Sequence, residues 1–398
     1  MAQPIDLHAP ASGQVPPDAF ALWRLGLRPF YLVASAFASL SIGLWGAQYA
    51  GWLTRPYLDG PMWHAHEMIF GFALAVIAGF LLTAVRNWTG RATPSGGWLM
   101  ALVGLWIAGR VLVLTPYAVA AAAIDTLFPL AVALGIGLPL VQSGNRRNYF
   151  FIALLLALAA LDLTEHLARL RVIALTERQA VQAALDVVLL IMTVMGGRVI
   201  PMFTSNGVRG SQPRRNAAIE KLAPASAVAL LVADVVAPPA WVLGAVLALG
   251  AILQGIRIWL WRPWQTLRVP LVWVLHAGYL WIPLHLGFRA LAEAGELPMP
   301  IATHALTAGA IGTLTIGMMT RTARGHSGRP LTADGYEVAA YVLVGLAAIT
   351  RVLVPLVAMS VYREAVIASA CMWSLAYAIY AVRYWPILTR PRLDGKPG

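Results

Sequence analysis

Twelve apolar runs follow one another along this chain, each near the length of about 20 residues that a helix needs to cross a hydrocarbon core of about 30 Å. They lie at about 28–50, 62–86, 97–115, 117–141, 148–168, 178–204, 221–237, 240–261, 269–291, 301–321, 335–356 and 363–385, with boundaries good to a few residues. In lipid every backbone polar group must be satisfied within the segment, so such runs fold as helices. The fold class expected is all-α, a polytopic membrane helix bundle of about 12 transmembrane helices. Composition agrees: AVILMFWYC residues make up 59% of the 398 positions and charged residues 12%, outside the range of an ordinary soluble domain. The weakest division is between the seventh and eighth runs, where Pro238-Pro239 is the only separator. A polar arm over 1–22, a single membrane domain over 23–388 and a polar tail over 389–398 complete the organisation. The arm lacks an apolar core, so no cleavable signal peptide is expected and the first run serves as the insertion signal.

The net charge of +12 comes from 29 Lys and Arg against 17 Asp and Glu. The basic residues sit mostly in short connections rather than in one patch with interleaved aromatics, which argues against nucleic-acid binding. Arg24 and Arg28 precede the first helix, and Arg86, Arg91, Arg146, Arg147, Arg209, Arg214, Arg262, Arg321, Arg324 and Arg390 follow even-numbered ones. By the positive-inside rule both termini are cytoplasmic, although Arg169, Arg171 and Arg178 run against the trend. Cys371 is the sole cysteine, which excludes an intramolecular disulfide, a zinc ribbon and covalent CxxCH attachment of haem.

Ionisable residues inside the runs carry the functional signal, because charge and imidazole are costly in a bilayer. With this orientation His64, His66, Glu67, Arg110, Asp125, Asp162, Glu165 and His166 all fall in the outer half, as do Asp186, Asp234, His285, Arg289 and His304. His276 lies near mid-membrane and Arg198 towards the inside. One-sided polarity of this kind, where it converges in space, describes a buried site opening towards the periplasm.

The densest group is Met62-Trp63-His64-Ala65-His66-Glu67-Met68. Two residues apart, His64 and His66 are turned about 200° from each other on a regular helix and cannot share one small ion. His64 with Met68 and Met62 with His66 are four apart, and His64 with Glu67 three apart, so each histidine has a soft or acidic neighbour on its own face. Imidazole with thioether suits Cu(I) or haem iron, and a carboxylate is the usual support of a ligating imidazole. His304 sits at a matching depth on the tenth helix, making a bis-imidazole haem pair with His64 or His66 the most economical arrangement. His276 and His285 are about 180° apart on one helix and belong to different environments. His166 reads equally as a wet helix terminus or a ligand, and His326 reads as a loop residue. Arg110 has two partners open to it, Asp125 or a haem propionate, and Arg198 is expected to pair with a carboxylate.

The strings Arg24-Leu-Gly-Leu-Arg28-Pro-Phe, Trp63-His-Ala-His-Glu67, Ala78-Gly-Phe-Leu-Leu-Thr83, Asn87-Trp-Thr, Gly196-Gly-Arg-Val-Ile-Pro201, His276-Ala-Gly-Tyr279, His304-Ala-Leu-Thr307 and Thr320-Arg-Thr-Ala-Arg-Gly-His326-Ser-Gly-Arg329 resemble the NnrS family. That family consists of bacterial inner-membrane proteins linked to nitric oxide and denitrification and described as carrying haem and copper. Arg324 and Ser327 depart from its commoner residues. The resemblance implies b-type haem, copper as a second cofactor, and metal ligation by His64, His66, His276, His304 and His326. A weaker analogy is with the haem-copper oxidases, which also place histidines on their second and tenth helices, but with the paired and single histidines exchanged.

The function expected is that of a haem, and by resemblance copper, redox protein binding or turning over nitric oxide in a bacterial inner membrane. Glu67 is the candidate proton carrier, His64, His66, His304 and Arg110 the cofactor contacts, and His276 the ligand of a second centre. The electron donor and any membrane partner are unspecified. Two other readings stand beside it: a transporter passing Cu(I) through Met and His pairs, and a nitric oxide sensor or assembly factor without turnover.

Overall fold

The computed structural model describes residues 19–49 and 57–395; the expected polar arm falls mostly outside these. Among them the chain is helical without strands. Twelve long helices occupy the places of the apolar runs: α1 (Leu27–Tyr49), α2 (Gly60–Thr89), α3 (Gly97–Leu112), α4 (Ala118–Gln142), α5 (Phe150–Arg169), α6 (Glu177–Gly207), α7 (Ala217–Val236), α8 (Ala240–Leu260), α9 (Pro270–Glu293), α10 (Met299–His326), α11 (Gly335–Val357) and α12 (Tyr362–Thr389). Ten of these are long and apolar enough to cross a membrane. The exceptions are α3, whose 16 residues are short for a span, and α7, which carries Glu220, Lys221 and Asp234.

Local chemistry sets where the helices start and stop. Pro61 and Pro300 stand in the first turns of α2 and α10, where a missing N–H costs nothing. Thr176 with Gln179 and Asp334 with Glu337 form capping boxes that open α6 and α11, and Asn216 caps α7. Gly90 takes the left-handed conformation that closes α2, its φ being 65°. Pro238-Pro239 separates α7 from α8 after Ala237 turns left-handed.

Each helix packs on its successor, and α12 closes on α1; the weak link is α2 to α3, because α2 turns inward to meet α4 and α6. Every fourth helix is the most enclosed: 83% of the apolar window of α2, 78% of α6 and 67% of α10 is buried, against 33% for α8 and α12. Those inner helices are where a polar side chain is kept furthest from lipid. Two of them share a feature that periodicity cannot reveal. Immediately after His66, α2 widens into a π-helical segment over Glu67–Ala73, and immediately after His304, α10 does the same over Ala305–Ile311. π segments inside α-helices frequently mark functional sites, because the extra residue re-aims the side chains on either side.

Candidate metal centre

Polar residues of α2, α3, α4 and α5 converge on His66. Its Nε2 lies 2.9 Å from Asp125 Oδ2 and its Nδ1 3.2 Å from Glu165 Oε2, with Asp162 Oδ1 at 4.0 Å. His166 approaches the same carboxylates, its Nε2 standing 3.8 Å from Asp125 Oδ2 and 3.7 Å from Asp162 Oδ1. Thr126 donates to Asp162 Oδ2 at 2.9 Å, and the Tyr57 hydroxyl lies 3.2 Å from His166 Nδ1. Beside this group Arg110 donates to Glu67 Oε2 at 2.9 Å and pairs closely with Asp125 Oδ1. His66, Glu67, Glu165 and His166 are completely buried, and Asp125, Asp162 and Arg110 nearly so.

Four carboxyl groups therefore face one guanidinium and two imidazoles away from water. Isolated buried charge costs several kcal/mol per ion even after relaxation, a cost that protons on the rings or carboxyls, or a bound cation, would relieve. Ligand atoms from His66, Asp125, Asp162 and His166 all lie within 4.8 Å of one another, the spacing of groups that close on one ion. Asp162 Oδ1, His166 Nε2 and Glu165 Oε1 are buried without a hydrogen-bond partner. An unsatisfied buried polar group costs about 1–3 kcal/mol, which ligation would remove. The residues thus fit a metal ion. Imidazole with carboxylate suits Zn(II), Fe(II), Mn(II) or Cu(II); this group holds no thiolate or thioether of the kind Cu(I) selects.

His64 faces the other way. Its ring lies 5.1 Å from Trp45, and it is close enough to His304 for the two to interact electrostatically, with Arg351 beside both. His304 Nδ1 faces the Pro300 carbonyl oxygen at 2.7 Å, a bond that fixes the proton there and leaves Nε2 with its lone pair. His64 Nδ1 is buried and unpartnered. Two imidazoles from two helices, with a guanidinium able to meet a propionate, are donors of the kind that would hold a haem.

A family model described as NnrS protein matches residues 21–392. The chain belongs to the NnrS family. No curated protein and no solved structure matches it. Within this NnrS chain the expected residues separate into groups. His66, Glu67 and Arg110 meet in one cluster, and Arg110 takes Asp125 together with Glu67 rather than waiting for a propionate. Glu67 serves Arg110 and not His64, contrary to the three-residue pairing read along the helix, because α3 presents a guanidinium to that face. His276 stands apart, its Nε2 2.8 Å from the Thr204 hydroxyl, and His326 lies at the end of α10; neither joins the four-residue group. His166 is no wet terminus: α2 and Tyr57 cover it completely. Arg198 meets Asn148 Oδ1 at 2.8 Å and the ring of Phe150, an amide and a π face in place of the expected carboxylate. The sequence leaves His166 open between a ligand and a wet terminus and does not mark Asp125, Asp162 or Glu165 as ligands. Their signal was the four-residue spacing of Asp162 and His166, which puts both on one face of α5.

Proposed function

We propose that this NnrS-family protein is a multi-pass inner-membrane redox protein that binds or turns over nitric oxide during nitrosative stress. It would carry a b-type haem between His64 and His304 and a second metal ion, copper(II) being among those the donors suit, on the His66 cluster. What supports the reading is membership of the NnrS family together with His64 and His304, each carried on an inner helix that widens into a π segment within three residues of it. Bound haem would supply an iron centre for a diatomic ligand that partitions into lipid. The chain's own residues would do the rest. The Pro300 carbonyl holds the His304 tautomer, Arg351, whose Nη1 is buried and unpartnered, would be available to a propionate, and the wall of apolar helices keeps water from the site. Glu67 Oε1, buried and unpartnered beside Arg110, is the atom at which a proton would be held or passed. A copper-passing transporter draws less support, since both ring nitrogens of His66 face carboxylates.

The test is optical spectra of the purified protein, oxidised and dithionite-reduced, with and without nitric oxide, alongside metal analysis. Sharp α and β bands that shift on adding the gas, with a second metal near one equivalent, are expected. Folded protein free of haem and metal would overturn the proposal. Consumption of nitric oxide at an electrode in the presence of reductant separates turnover from binding.

A further inference from the structure

Arg169 is one of the basic residues that run against the charge pattern of the loops, and its place in the fold gives it a task. The last residue of α5, it sends Nη2 to Asp59 Oδ1 at 2.7 Å and to the Tyr57 carbonyl oxygen at 3.2 Å, with Nη1 3.6 Å from Glu177 Oε1 at the start of α6. The stretch it holds, Tyr57 to Asp59, is also tied to the segment after α3: Tyr57 N donates to Thr115 O at 2.9 Å and Leu58 N to Val113 O at 3.1 Å. Leu58 is completely buried in a cluster with Trp63, Val113 and Ala121. Side-chain, backbone and apolar anchors together fix where the Tyr57 ring goes.

That ring stacks on His166, with 5.6 Å between centroids and 14° between planes. Its hydroxyl meets two atoms of the same residue, the His166 carbonyl oxygen at 3.3 Å and ring Nδ1 at 3.2 Å. A carbonyl oxygen only accepts and a hydroxyl carries one proton, so both contacts are satisfied only when the hydroxyl donates to the carbonyl and Nδ1–H donates to the hydroxyl. With the proton of a neutral imidazole on Nδ1, the lone pair is on Nε2. His166 Nε2 faces Asp125 Oδ2 at 3.8 Å and Asp162 Oδ1 at 3.7 Å, and it is buried without a hydrogen-bond partner. A lone pair set against two carboxylate oxygens is repelled by them, and a cation placed among the three turns the repulsion into ligation.

We propose that Tyr57 is a positioning residue of the metal centre: it holds the proton of His166 on Nδ1 and so presents Nε2, beside Asp125 and Asp162, as the ligand atom for a divalent cation. The inference rests on the metal reading of the His66 cluster and adds to it a residue that precedes α2. Tyr57 acts through His166, as the outer partners of ligating histidines do when they fix a tautomer and a ring orientation. Arg169 acts one step further out, through the Tyr57 carbonyl.

The experiment uses the full chain stripped of metal and titrated with zinc(II) against a competing chelator, zinc at the cluster being the part whose uptake is lost in Asp162→Asn. Tyr57→Phe keeps an aromatic ring and removes only the hydroxyl. Its dissociation constant for that zinc should rise about 10–100-fold, the usual result of losing an outer partner of a ligating imidazole. Tyr117→Phe, at an exposed tyrosine that begins α4, should leave it unchanged. Unaltered zinc affinity in Tyr57→Phe overturns the proposal. A second readout needs no metal: in histidine-labelled protein the nitrogen-15 spectrum of His166, identified by its loss in His166→Gln, should show a proton on Nδ1. A bare Nδ1 overturns the proposal even if Tyr57→Phe does not fold. Absence of zinc uptake by the unsubstituted protein would sink the metal reading and Nε2 as a ligand with it, while the Nδ1 signal separately shows whether Tyr57 fixes the ring.

Discussion

His64 and His66 stand two positions apart on α2 yet serve opposite sides of it: His66 bonds the carboxylates of α4 and α5, while His64 turns to Trp45 and His304. Each ring therefore has its own environment, and the two are separable by substitution.

That separation sets the first expectation. Asp162→Asn should reduce the second metal at least tenfold, by mass spectrometry of the purified protein, with haem bands retained. His304→Ala should abolish the haem bands with the metal retained. Loss of both signals in both folded variants would mean that the two groups form one site.

Among the described residues, Arg110 is the guanidinium that pairs with Glu67 and Asp125. Removing one partner of a buried ion pair typically costs about 3–5 kcal/mol, because the other charge stays buried. Arg110→Ala should lower the unfolding temperature sharply, and Arg110→Ala with Glu67→Gln and Asp125→Asn should recover part of the loss. A single substitution with an unchanged melting curve would show that the pairs are not formed.

Gly71 lies in the π segment of α2. A Cβ there would come 2.5 Å from Glu67 Oε2, 2.7 Å from Arg110 Nη1 and 2.8 Å from Phe37 Cε1. Gly71→Ala should push Glu67 and Arg110 apart and alter metal content without adding or removing a charge. Gly104→Ala on α3, where a Cβ meets nothing within 4 Å, should leave both stability and metal unaffected.

Asp334 caps α11, accepting from Tyr336 N at 3.0 Å and Glu337 N at 3.2 Å, and it pairs with Arg383 at 2.7 Å. Partial burial pushes its carboxyl up, but the Arg383 hydrogen bond and the backbone donors outweigh this and hold it below the ordinary carboxylate value. A group depressed in the folded state contributes its stability above its unfolded value, near about 3.9, and loses it as pH falls through the folded one. Asp334→Ala should cost about 1 kcal/mol at neutral pH. The gap between the two unfolding curves should close as the pH drops below about 4; a gap constant down to pH 2 would exclude the carboxylate as its cause.

The sequence by itself determined the helices, because apolar runs of membrane length, proline near helix starts and glycine or paired proline at helix ends are local properties of the chain. It also determined that Glu67, Arg110, Asp125, Asp162 and His166 share a depth, since rise per residue converts position into height. Tertiary structure alone decided which of them meet. Height says nothing of azimuth, so the turn of α5 that places Asp162 and His166 against His66, and the inward lean of α2 past α3 towards α4 and α6, lay outside any single-helix reading. The π segments after His66 and His304 were equally hidden: they arise where inner helices pack against several neighbours at once, and no residue pattern of period 3.6 announces a turn that departs from that period.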